Sequence, residues 1–198
     1  MATSNVQDID GDTHELWTQD QAMGCGPSCI AMIARKNNKS CDEQWISGLI
    51  SSSERQVTMT GMTSGHDFSQ SGTFNVQAAL RHLNLTGTYT DKTTNYNRAF
   101  KRCTKSKPGM AWIQWRRWSQ PGGAGTVVQW HDDPNGGTHW ICILGTSKTD
   151  TTKYIVLDPA AGHGVSAQNY QALPYYTAPN GSQGKFRTFG ENGFITTS

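Results

Sequence analysis

The sequence predicts an α+β fold in which helices come first and an antiparallel sheet follows. An apolar stripe at helical spacing (Cys29, Ile30, Ile33, Ala34) begins just after "GCGPS". From Pro108 onward the pattern changes to short runs that alternate every second residue: "MAWIQW", "TVVQWH", "THWICILG" and "KYIVLD". Neither an internal repeat nor a break in composition divides the 198 residues, so one domain spanning 1–198 is expected.

The elements follow in order. Residues 1–16 read as a tail or a first edge segment. Pro27 suits the first turn of a helix, where its missing N–H costs nothing. Arg35 and Lys36 sit in the last turn, where the dipole favours cations, and Asn37 and Asn38 mark the stop. "CDEQWISGLI" after Ser40 suggests a second short helix. Residues 51–72, rich in Ser, Thr and Gly, read as a long surface loop. "TFNVQAALRHL" carries Phe74, Ala78, Leu80 and Leu83 at roughly helical spacing, with Thr73 as N-cap, and "YNRAFKRC" is another short helix. In "THWICILG", His139, Ile141 and Ile143 share one face; Trp140, Cys142 and Leu144 share the other. "DDPNGG" is turn chemistry.

Composition excludes several functions. Seventeen basic residues against 15 acidic ones give a formal net charge of +2, with no basic stripe, so nucleic acid is not expected as a partner. No apolar run approaches the ~20 residues of a membrane span, and no membrane partner is expected. The N-terminal "MATSNVQDIDGDTHELW" has no secretory pattern. Five scattered cysteines (Cys25, Cys29, Cys41, Cys103, Cys142) point to free thiols made in a reducing cytoplasm. Signal-independent export would leave no hydropathy trace.

Cys25 opens the first helix between Gly24 and Gly26. A thiol there faces unpaired backbone N–H groups and the positive end of the helix dipole, both of which favour thiolate. That setting suits a nucleophile, and it equally suits a buried cysteine at a helix start. Cys29, one turn on, belongs to the apolar stripe. A nucleophilic thiol needs a base, and the base needs an orienting partner. His139 opens a strand, and Asp158 ends the next one before Pro159. A hairpin centred between Lys148 and Thr149 would set 145 opposite 152 and 139 opposite 158, a distance suited to a carboxylate holding an imidazole. A rim histidine beside a turn aspartate is the bland alternative. Gln19 or its neighbour Gln21 could donate to an oxyanion together with the Cys25 backbone N–H.

Taken together, Gln19, the five-residue gap, "CGP" at 25–27, the apolar helix, "GTHWICILG" and "YIVLDPA" resemble the papain-like cysteine peptidases. Within that clan they are most similar to the bacteriocin-processing peptidases that cut leader peptides after a double glycine, and next to papain-like effector proteases of plant pathogens. The resemblance covers about Leu16 to Ala160. It implies Cys25 as nucleophile, His139 as base, Asp158 as its orienter and Gln19 as oxyanion donor, with no metal or cofactor. It also implies a protein or peptide substrate with small residues, Gly-Gly above all, before the cut.

The sequence departs from the pattern in four places. No exporter or ATPase segment accompanies the peptidase-like part. Gly24 stands where an acidic residue is frequent. The insert at 116–137 is long enough for a substrate-facing flap. The segment after Ala160 has no counterpart. A free-standing, monomeric peptidase suggests a delivered antibacterial or host-directed effector, with a cognate inhibitor as partner. A deamidase or acyltransferase using the same Cys-His pair, and an inactive binding module, are the competing readings. Trp112, Trp115 and Trp140 are candidates for cleft walls, although such residues usually serve the core. The cysteine spacings do not form a zinc site. His131, Asp132 and Asp133 are expected in a hairpin turn, and His66, His82 and His163 on the surface or in the core.

Overall fold

A computed structural model describes residues 2–19, 24–39, 76, 79–81, 83–91, 96–119, 129–132, 137–186 and 192–197. The expected helix after Ser40, the 51–72 loop, the Thr73 cap, Gln21, Cys41, His66, His82 and most of the "DDPNGG" connector lie outside these residues.

Of the two readings of residues 1–16, a tail or a first edge segment, the tail is excluded. β1 (Ala2–Gln7) and β2 (Thr13–Thr18) form an antiparallel hairpin paired from Ala2↔Thr18 to Gln7↔Thr13. The turn "DIDGD" explains it: Asp8 Oδ1 accepts from the backbone N–H groups of Asp10 and Asp12, at 2.9 and 3.0 Å, and Gly11 supplies a positive φ. The first helix, α1 (Cys25–Lys36), runs as expected, and Asn37 caps its C-terminus. Every residue from Cys25 to Ala34 is buried, so the helix lies in the core rather than on its surface. Val76, Ala79 and Leu80 are helical and pack into the same apolar cluster.

The remaining strands build an antiparallel sheet with the order β3-β11-β4-β6-β7-β8. They are β3 (Gly87–Asp91), β4 (Gly109–Ser119), β5 (Gln129–Asp132), β6 (Thr138–Thr146), β7 (Lys153–Asp158), β8 (Gly164–Asn169), β9 (Tyr175–Thr177), β10 (Gln183–Phe186) and β11 (Asn192–Thr197). The short helix α2 (Tyr96–Arg102) precedes β4. β4 is long enough for four neighbours: β11 then β10 along one edge, β6 then β5 along the other. Two expectations change here. The sheet recruits β3, which precedes Pro108, and it recruits the C-terminal segment, whose β11 lies between β3 and β4. His131 and Asp132 lie on β5, opposite Arg117 and Arg116, not in a turn.

The alternation in β6 is realised. Trp140, Cys142 and Leu144 join the α1 side with Trp112, Ile155 and Leu157. Ile141 and Ile143 join the opposite side with Phe100, Tyr154, Val156, Tyr176 and Phe186. α1 covers one face of the sheet, while α2 and the C-terminal aromatics cover the other. Among the described residues no helix is long and apolar enough to cross a membrane.

Candidate active site

Cys25 is the first residue of α1, with Gly24 as N-cap in helical geometry. Among the described residues no side chain caps this end, and the first turn carries no acidic residue, so the positive end of the dipole is left to the thiol. Ser28 makes the first intrahelical bond, to Gly24 O at 2.9 Å, and Pro27 has no N–H. The N–H groups of Cys25 and Gly26 therefore have no partner within the helix.

The Cys25 thiol meets His139 at the start of β6, and Asp158 at the end of β7 lies behind the imidazole. His139 Nε2 donates to Asp158 Oδ1 at 2.6 Å, which turns Nδ1 toward the sulfur. Cys25, His139 and Asp158 are all buried. Burial acts to raise the Cys25 thiol. The hydrogen bond and charge of His139, with the backbone N–H groups of Trp140 and Gly26, outweigh it and bring the thiol below its ordinary range. Burial likewise acts to lower His139, but Asp158 on one side and Cys25 on the other raise it to about 9. Burial would raise Asp158, yet its bonds to His139, Tyr176 and the Ala160 N–H hold it below the usual carboxylate range. The lowered thiol and the raised imidazole both favour charge separation between Cys25 and His139, next to a carboxyl group held toward its ionised form. By contrast, burial pushes the thiols of Cys29, Cys103 and Cys142 up, Cys103 to about 12.

The geometry that joins His139 to Asp158 differs from the expected one. The observed pairs are Cys142↔Leu157 and Ile143↔Val156, then Gly145↔Ile155 and Thr146↔Tyr154, with a register shift between Ile143 and Gly145. Residue 145 thus faces 155, not 152. Extending the register places Asp158 across from Ile141, so His139 reaches it diagonally. The extra residue at Leu144 decides this. Without it, Asp158 would oppose Cys142, on the sheet face away from His139. Gly145 makes the irregularity possible: its φ is +92°, and a Cβ there would lie 2.0 Å from the Cys103 carbonyl oxygen.

Gln19 follows β2 directly, and its backbone N–H donates to Pro159 O at 2.8 Å, tying the end of the hairpin to the residue after Asp158. With Trp115, His139, Ala160, His163 and Ser182 it lines a cavity of about 450 Å³. Of the three candidate wall tryptophans, Trp112 and Trp140 are core residues, while Trp115 lines this cavity and stacks on His139, with ring centres 5.5 Å apart. The base of the 116–137 insert also reaches the cavity, through Arg116 and Gly137.

Two residues around Asp158 were not evident from the sequence. Tyr176 OH donates to Oδ2 at 2.6 Å, and His163 Nδ1 lies 2.9 Å from the same oxygen. His163, in the Gly-flanked turn five residues after Asp158, carried a local signal. Tyr176 carried none, because its position depends on β9 pairing with β10 and β10 with β4.

A second polar centre lies away from the thiol. Asp8, Asp10 and Asp12 converge as metal ligands would. The Lys105 ammonium lies among them, 2.7 Å from Asp8 and Asp10 and in contact with Asp12, so the cluster holds a cation from its own chain. Asp8 also accepts from His14 Nε2 at 2.7 Å.

No family model matches the chain, and no curated protein matches it. It is structurally similar, at low sequence identity, to double-glycine peptidase domains of ABC transporters. One is the peptidase domain of Streptococcus ComA, a bifunctional ABC transporter of a quorum-sensing pathway: 14% identity, TM-score 0.48, covering 91% of this chain and 94% of that one. Another is a double-glycine motif protease from an AMS/PCAT transporter, solved with a leader peptide: 14% identity, TM-score 0.48, covering 97% and 99%.

Proposed function

We propose that the chain is a cysteine peptidase that hydrolyses a polypeptide after small residues, Gly-Gly above all. The observation that carries the reading is the continuous chain from Cys25 through His139 to a buried, ionised Asp158, with the thiol at an uncapped helix N-terminus. The ordered resemblance of Gln19, "CGP" and the His and Asp strands supports the substrate class. Trp115, packed on His139 beside the cavity, supports a restricted approach that favours small groups.

The chemistry follows from the assigned positions. The Cys25 thiolate attacks the scissile carbonyl carbon, and the carbonyl π electrons move to oxygen. The resulting oxyanion takes hydrogen bonds from the Cys25 N–H and the Gln19 side-chain amide. As the C–N bond breaks, His139 gives its Nδ1 proton to the leaving amine. A thioester remains on Cys25. Neutral His139 then takes a proton from water as the water attacks the thioester, releasing the acid and restoring the ion pair. Asp158 keeps the imidazole ring aligned and remains ionised throughout.

The test is intact-mass analysis after incubation with a peptide vinyl sulfone ending in Gly-Gly, alongside cleavage assays on Gly-Gly peptides. One adduct, confined to Cys25 and lost in Cys25→Ala, is the expected result; that variant should unfold at the temperature of the parent. Equal labelling of all the cysteines would overturn the proposal. Ammonia release without chain cleavage would make the protein a deamidase.

A further inference from the structure

Asp158 is fully buried and holds a polar partner on each side of both oxygens. Oδ1 takes His139 Nε2 at 2.6 Å and the Ala160 N–H at 2.9 Å; Oδ2 takes the Tyr176 hydroxyl at 2.6 Å and His163 Nδ1 at 2.9 Å. An ionised carboxylate can only accept, so His163 must carry its proton on Nδ1. The His163 ring also meets Trp115 edge-on, with centres 5.9 Å apart at 82°, while the face of Trp115 stacks on His139. Two imidazoles thus share one carboxylate and one indole, and both line the cavity. The turn that carries His163 is closed by its own N–H, which donates to Ala160 O at 3.0 Å.

We propose that His163 is a positioning residue of the Cys25–His139 pair, holding Asp158 Oδ2 so that Oδ1 stays aligned on His139. The inference rests on the peptidase reading above. Without His163, Oδ2 keeps the Tyr176 hydroxyl as its single anchor, a pivot about which the carboxylate can turn, and a turned Asp158 offers His139 a longer, bent hydrogen bond. Tyr176 anchors Oδ2 from the sheet side, and His163 anchors it from the cavity side. The other titratable groups nearby are Cys29 and Tyr154, both kept neutral by burial, and the guanidinium of Arg116 in the cavity wall.

The effect can be measured without a peptide substrate. Iodoacetamide alkylation of Cys25, followed by intact mass from pH 4 to 10, reads the thiolate fraction directly, with Cys25→Ala correcting for the other thiols. His163→Ala should move the acid limb of the profile to higher pH by about one unit, slowing alkylation up to roughly tenfold at pH values on that limb. His163→Asn, whose Nδ2 takes the place of Nδ1, should restore most of the rate; a purely structural loss would not recover in this way. A parental profile in His163→Ala would overturn the inference alone. A parent whose Cys25 reacts like an ordinary thiol would bring down the peptidase reading and the inference with it. Should His163→Ala fail to fold, the imidazole ¹⁵N–¹H correlation of the intact protein decides instead: an Nδ1-protonated His163 is expected, and the Nε2-protonated tautomer would overturn the proposal.

Discussion

His139 stands between a thiol and a carboxylate, and both raise it for the same reason: each gains from a positive neighbour in a site with little water. Its charge is therefore lost only near pH 9, while the Cys25 thiolate survives to a pH below the ordinary thiol range. The rate of a thiolate–imidazolium enzyme should then be bell-shaped. It rises through the lowered thiol titration and falls as His139 deprotonates near pH 9. Asp158→Asn removes the larger of the two supports on His139. The alkaline limb should move to lower pH, and kcat/KM at neutral pH should fall by roughly 10²-fold or more. A profile measured on a fluorogenic Gly-Gly peptide gives both readings. An alkaline limb that stays near pH 9 in the variant would exclude Asp158 as the source of the shift.

At the scale of the elements, the site depends on one irregularity in the β6–β7 pair. The Gly145↔Ile155 register continued without interruption would carry Asp158 to the sheet face away from His139; the register shift at Leu144 restores it to the same face. Gly145→Ala attacks that feature without touching the site. Its φ of +92° disfavours any side chain, and the Cβ would collide with backbone rather than with a yielding side chain. A loss of at least about 2–3 kcal/mol is expected in urea unfolding, together with loss of Cys25 reactivity in whatever folds. Unchanged stability would mean that the segment can relax around the new methyl.

Across the whole molecule, the N-terminal hairpin is fastened at both ends. Gln19 is tied to Pro159 beside the site. At the other end, the carboxylate of Asp10 in the β1–β2 turn reaches the β6–β7 turn, accepting from Ser147 Oγ at 2.5 Å, from the N–H groups of Lys148 and Thr149 at 3.0 Å, and from Lys105 at 2.7 Å. Burial opposes the charge of Asp10, but these donors hold its carboxyl well below the ordinary value. A depressed carboxyl contributes stability above its unfolded value near 3.8 and loses it as pH falls toward the folded one. Asp10→Ala should therefore lower Tm by roughly 5 °C at pH 7, and the gap should close in acid as the parent loses the same contribution. A gap independent of pH would show that the carboxylate charge is not what fastens the hairpin.

That Cys25, His139 and Asp158 belong together was legible because each is announced locally: glycines and a proline around a cysteine, a histidine opening an apolar strand, an aspartate before a proline. The order of α1, α2 and the central strands was legible for the same reason, since side-chain period is a property of neighbours in sequence. The hairpin at the start was missed because β1 is polar and exposed, so its pattern records no buried face. The part played by the C-terminal segment was missed because β11 enters the sheet beside β3, about a hundred residues away, and only long-range pairing brings Tyr176 to Asp158. By itself the sequence determined the α+β class, the type of α1, α2 and the central strands, and which residues are candidates for the reactive group. Register, the partners of Asp158 and the anchoring of Gln19 were decided by the tertiary structure. They depend on bulges, strand order and burial, which arise only when distant segments compete for the same hydrogen bonds and the same dry interior.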